Sequence, residues 1–137
     1  MKIEPYLFLE CRCEEAIEFY KKAIGAKVVM LMRNDESPEP HPPGMLPPGS
    51  EKKVLHATVQ IGESQVMMSD GHCSGKTKFS GFSLSLRTES DAQAEKAFAA
   101  LSEGGQATMP LTKTFFTSKF GMLVDRFGVE WMVIVQQ

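Results

Sequence analysis

The sequence predicts an α+β domain built from two β-α-β-β-β modules, with helices outside and a curved mixed sheet around a cavity. Two observations carry this. Residues 119–135 read KFGMLVDRFGVEWMVIV, two apolar runs joined by Asp125-Arg126-Phe127-Gly128. Asp can bond its own backbone and Gly accepts positive φ, so this reads as a tight four-residue turn in a β-hairpin. The same arrangement stands earlier, where Val54–Ile61 and Ser64–Ser69 flank Gly62-Glu63. Each hairpin follows a strand, a helix and a further strand. Such a unit exposes an apolar sheet face that it cannot bury alone, and pairing two units buries it. One domain spanning residues 1–137 is expected, with modules at about 1–73 and 79–137.

Taken in order, residues 3–9 read as a strand, with Pro5 placing it at an edge or a strand start. Cys13–Ile24 reads as a helix, because Ala16, Ile17, Tyr20, Ala23 and Ile24 recur at helical spacing. Glu14 and Glu15 favour its first turn, and Gly25 ends it. Residues 26–32 form the next strand. Residues 34–53 hold six of the chain's eight prolines with two glycines, which forbids a regular element and suggests a mobile or partner-covering loop. The first hairpin places His56, Thr58 and Gln60 on one face, with Gln65, Met67 and Ser69 opposite them. Residues 70–78 are a polar connector. Residues 79–87 alternate as a strand, with Phe82, Leu84 and Leu86 on one side. Residues 90–102 read as the second helix, with Ser90 and Gln93 as a capping box and Ala94, Ala97, Phe98 and Leu101 as its buried stripe. Residues 106–111 form a short strand carrying Pro110. A Thr- and Phe-rich connection, 112–118, leads into the closing hairpin.

Composition narrows the function. At 137 residues, 42% hydrophobic and 23% charged, the chain has ordinary globular make-up and enough length for a core. A net charge of −2 gives no electrostatic case for nucleic acid or an anionic membrane. No apolar run approaches the roughly 20 residues of a membrane helix. The N-terminus, MKIEPYLFLE, lacks a signal-peptide apolar core. Three cysteines fit a reducing cytoplasm better than a disulfide framework. Cys11, Cys13, His72 and Cys73 could together make a zinc site, but C-x-C without a second pair reads more readily as ordinary small residues.

The helix run EEAIEFYKKAIGAK (residues 14–27) and the closing turn DRFGVEW (125–131) resemble motifs of the vicinal oxygen chelate superfamily. That group includes glyoxalase I, extradiol dioxygenases and the bleomycin and fosfomycin resistance proteins. PYLFL (5–9), HATVQIGESQVMMSD (56–70), GFSLSL (81–86) and FGMLVDRFGVEWMV (120–133) are similar to its PhnB-like branch, and the resemblance covers nearly the whole chain. Branch members are sometimes labelled demethylubiquinone methyltransferases. This chain has no Gly-rich strand-to-helix turn for a nucleotide-type cofactor, so no cofactor is expected.

Metal-dependent members of the superfamily bind a divalent ion through His and Glu on the first and last strands of each module. The resemblance carries those positions onto Tyr6, Met67, Phe82 and Met132, none of which is a usual ligand for such an ion. No metal is therefore expected. An apolar, aromatic, Met-rich ligand site is expected, drawing on Tyr6, Phe8, His56, Met67, Phe82, Phe115, Glu130 and Met132. Core packing is the competing reading for the apolar members of that set. A histidine is the side chain whose reference pKa lies near neutrality, so His56 is the candidate acid, base or hydrogen-bond donor; a strand His bonded to Ser69 or backbone is the bland alternative. Asp70 reads better as a strand-end residue than as a catalytic one, and Trp131 as core. A small-molecule binding protein, homodimeric as relatives of this architecture commonly are, is the leading expectation. The alternative is an enzyme using His56, with a divalent ion at a non-standard set such as His56 and Glu130.

Overall fold

The computed structural model describes residues 1–38 and 49–136. Its elements run β1 (Tyr6–Phe8), α1 (Cys13–Ile24), β2 (Lys27–Arg33), β3 (Val54–Ile61), β4 (Ser64–Ser69), β5 (Leu84–Thr88), α2 (Asp91–Ser102), β6 (Gln106–Thr112), β7 (Phe120–Val124) and β8 (Glu130–Val135). The chain divides into two compact units: Met1–Lys21 with Gly25–Thr77, and Lys22–Ile24 with Lys78–Gln137. The α+β class and the twofold β-α-β-β-β order are as the sequence predicts.

In the first unit the sheet order is β1-β4-β3-β2. β1 runs parallel to β4, and the β3 pairings are antiparallel. Cys13, Ala16, Ile17 and Tyr20 are buried on α1, at the spacing that forms one helical stripe. Leu7, Ala57, Val59, Val66 and Met68 are buried on the sheet. Gly25 closes α1 with φ 71°, its amide donating to Lys21 O. β1 is shorter than expected. Pro5 has no N–H to donate, yet its carbonyl accepts from Met67 N, so pairing with β4 begins just before the strand. Asn34–Glu36 forms one 3-10 turn ahead of the proline-rich stretch. The expectation for that loop falls largely on residues 39–48, outside the described residues.

In the second unit the order is β5-β8-β7-β6, with β5 parallel to β8. α2 lies against all four strands. Its buried Ala94, Ala97 and Leu101 join Leu123, Val129, Trp131, Val133 and Val135 in the core. Ser90 caps α2, its Oγ accepting from Gln93 N at 3.1 Å. The Gln93 side chain returns to Glu89 N rather than to Ser90 N. β6 is an edge strand whose register shifts between Met109 and Thr112, around Pro110.

Two expectations are corrected here. The strand foreseen over 79–87 begins only at Leu84, because Gly81 takes φ 81°, a left-handed conformation that interrupts an extended chain. Phe82 therefore precedes β5. Cys11 and Cys73 are joined in a disulfide and only Cys13 is free, so the cysteines are not all ordinary reduced residues. Spacing gave no sign of this, because 62 residues separate the pair and the fold alone brings their Cα atoms to 5.3 Å.

Candidate functional site

Each sheet has a buried face and an open one. On the open face of the first unit, Met67 is the register partner of both Tyr6 on β1 and Thr58 on β3. Met30 pairs with Thr58, and Met32 with His56. Tyr6 is 36% and Phe8 50% exposed, although both belong to the sheet's apolar set. Their rings lie 4.9 Å apart. The Tyr6 ring is also 5.5 Å from that of His56, with the planes tilted by 41°.

The polar centre of this face is His56. Its Nδ1 lies 3.2 Å from the Tyr6 hydroxyl, and its Nε2 lies 3.2 Å from Thr58 Oγ1. A neutral imidazole donates at one nitrogen and accepts at the other, and a hydroxyl can play either part. The two hydroxyls therefore hold the ring in place whichever tautomer is present. The face can stack a planar apolar group on Tyr6 and Phe8, and the remaining hydrogen-bonding capacity beside them is that of the Tyr6 and Thr58 hydroxyls. Tyr6 reaches His56 across the intervening strand β4. Thr58 was visible from parity in the sequence, two residues from His56 on one face. The Tyr6 contact was not, since it depends on strand order.

Asp70 directly follows β4 and is buried. Its carboxylate accepts from Cys13 N at 2.9 Å and from Val54 N at 2.6 Å. It satisfies an α1 amide and the first amide of β3, which is a structural task. An open cleft of about 340 Å³ lies nearby, lined by Cys11, Glu14, Glu15, Gly49, Lys52, Lys53 and Asp70. Much of its charge is already engaged. Arg33 donates to both Glu14 oxygens, at 2.9 and 2.8 Å, and so holds that carboxyl below its usual range. Arg12 binds Glu15 and Lys52 binds Asp35. This cleft is polar and differs from the apolar face around Tyr6.

On the open face of the second unit, Met132 pairs with Met122 on one side and Ser85 on the other. Glu130 and Met132 share one parity and both are half-buried. Trp131 has the opposite parity, is buried, and donates from Nε1 to Asp125 at 2.9 Å. Phe82 is 48% exposed and lies ahead of β5, and in register Ser85 rather than Leu84 or Leu86 stands beside Met132. Phe115 is fully exposed and packs edge-on against Phe116, which in turn meets Phe120.

The superfamily's metal would need imidazole or carboxylate ligands. Tyr6, Met67, Phe82 and Met132 supply neither imidazole nor carboxylate. Among the described residues no three His, Cys, Asp or Glu come together as a metal group would require. The residues present do not fit the family's ion.

The family described as 3-demethylubiquinone-9 3-methyltransferase matches residues 1–134. Protein YjdN of Escherichia coli is 34% identical over 142 residues, covering 98% of this chain and 95% of that protein. The crystal structure of PA1353 from Pseudomonas aeruginosa is 38% identical with a TM-score of 0.85, covering 100% of this chain and 98% of the other. The PhnB protein from Bacillus cereus, which bears the same methyltransferase description, is 30% identical with a TM-score of 0.81, covering 99% and 100%. A glyoxalase/bleomycin resistance protein/dioxygenase superfamily member from Sphaerobacter thermophilus, 19% identical with a TM-score of 0.59 over 99% and 98%, shares the fold. The chain therefore belongs to the 3-demethylubiquinone-9 3-methyltransferase family, the PhnB-like family, and shares its fold with the glyoxalase/bleomycin resistance/dioxygenase superfamily.

Proposed function

We propose that the protein is a metal-free small-molecule binding protein, and that its ligand is a compact, partly aromatic or apolar molecule with one hydrogen-bonding edge. The observation that carries this reading is the open face of the first unit. There Tyr6 and Phe8 stay exposed while His56 is held between two hydroxyls. Exposed aromatic surface next to an oriented polar group is the usual make-up of a ligand site. On the second unit, taken by itself, the reading keeps Glu130, Met132, Phe82 and Phe115 as candidate ligand contacts. The methyltransferase description of the family is not carried over, because the sequence offers no loop for a nucleotide-type cofactor. The exposed Val28, Val29, Met30, Met109 and Phe116 also favour a homodimer, since water-exposed apolar side chains gain by burial against a second copy. Among the described residues no helix is long and apolar enough to cross a membrane. A cytoplasmic location stays part of the proposal, and the Cys11–Cys73 disulfide, a bond uncommon in reducing compartments, weighs against it.

A panel of planar metabolites, screened by thermal shift on the wild type and on Tyr6→Ala and His56→Ala, tests the reading. A ligand that raises the wild-type Tm and loses its effect in both variants supports it. The enzyme alternative makes a different forecast: a stoichiometric divalent ion in the purified protein that disappears in His56→Ala. That result would replace the binding-protein reading.

A further inference from the structure

We propose that Cys11–Cys73 is a reversible thiol–disulfide switch that sets how far the connector between the two units is tied to the first. Three observations carry it. The bond is reachable: Cys73 is exposed, and half-buried Cys11 lines the open cleft beside α1. The Cα separation of 5.3 Å is ordinary for a disulfide. Among the described residues the non-glycine positions with positive φ are Glu10 (49°), Cys11 (65°) and Cys73 (54°). All three lie at this bond. A left-handed backbone is disfavoured for L-residues, so both half-cystines occupy conformations that release would let them leave. Exposed disulfides held against local backbone preference are the labile kind.

The consequence follows from what the bond holds. The connector leaves β4 at Ser69 and reaches β5 at Leu84. Cys11 N donates to Asp70 O, and the Glu10 carboxylate accepts from Gly75 N and Thr77 Oγ1. With Cys73 bonded, the connector is fixed to the first unit as far as Thr77, the last residue of that unit. When the bond opens, Glu10 and Cys11 relax from positive φ, and the Glu10 carboxylate's contacts to Gly75 and Thr77 go with them. The tie then retreats to Asp70, which its own bonds to Cys13 and Val54 retain.

The reductant class is a low-molecular-weight thiol. A thiolate attacks Cys73 Sγ, breaking the S–S bond and releasing Cys11 as thiolate. A second thiolate attacks the mixed disulfide, leaving as the small-molecule disulfide and freeing Cys73. Two external thiols are oxidised, one protein disulfide is reduced, and their two protons end on Cys11 and Cys73. The reverse reaction takes the small-molecule disulfide as oxidant. None of this depends on what the open sheet faces bind.

The full chain, equilibrated in mixtures of reduced and oxidised glutathione, acid-quenched, unfolded and labelled with maleimide, gives the test by intact mass. One labelled thiol, the buried Cys13, is expected in oxidising mixtures and three in reducing ones, with a single step between. Native hydrogen exchange across residues 71–77 should quicken about tenfold or more on reduction, and Cys73→Ser should exchange at the reduced rate in both mixtures. Three labelled thiols or glutathione adducts throughout, a bond that no mixture reduces, or exchange that ignores redox state would each overturn the switch.

Discussion

At the scale of single residues, three side chains have consequences that can be measured. Asp125 is buried and accepts from Phe127 N, Val129 N and Trp131 Nε1, at 2.9, 3.0 and 2.9 Å. Removing the carboxylate leaves three donors short of their partner, so Asp125→Ala should cost about 3 kcal/mol, read from urea unfolding. Cys13 gives a pH dependence. Burial first, then the Asp70 and Glu14 carboxylates, push its thiol up to about 12. In the unfolded chain the same thiol ionises near its ordinary value of about 8.5. Unfolding therefore releases a proton between those values. The contribution is whole below the lower one and is lost as pH rises towards the upper. The Tm of the wild type should fall more steeply from pH 8 to 11 than that of Cys13→Ala, and native Cys13 should resist alkylation at pH 8. His56 was legible as the candidate polar residue because parity set it beside Thr58. Its Tyr6 partner was not, because a contact across β4 needs the strand order that the sequence leaves open.

At the scale of elements, the parts with strong local chemistry were readable and those set by a single backbone angle were not. α1 was read to its boundaries, since its apolar spacing, acidic first turn and Gly25 all agree. The first hairpin was read to the residue, since a two-residue Gly62-Glu63 turn fixes its register. β5 was read five residues too early. The alternation of Phe79–Ser83 continues through Gly81, and only the observed φ shows where extension begins. Gly121 illustrates close packing between elements. A Cβ there would lie 2.7 Å from the Phe98 ring of α2 and 3.0 Å from Leu111 Cα on β6. Gly121→Ala should therefore destabilise by about 1–3 kcal/mol through overpacking, with Phe98→Ala recovering part of that loss in a double-mutant cycle.

At the scale of the whole molecule, family and fold were legible because the β-α-β-β-β order occurs twice and each copy ends in a hairpin with turn chemistry. The resemblance carries the superfamily's ligand positions onto Tyr6, Met67, Phe82 and Met132, yet Phe82 lies ahead of β5 and Ser85 stands beside Met132. The disulfide could not be foreseen, because it joins residues that only the folded chain brings together. What remains is a fold that keeps aromatic side chains exposed on an open sheet face and anchors one histidine between two hydroxyls. The central claim is that this face binds a small molecule without a metal. Thermal shift by a panel ligand before and after exhaustive chelation tests it most directly. The account predicts an unchanged shift after chelation in the wild type and none in Tyr6→Ala. A shift abolished by chelation, or one retained in Tyr6→Ala, would contradict it.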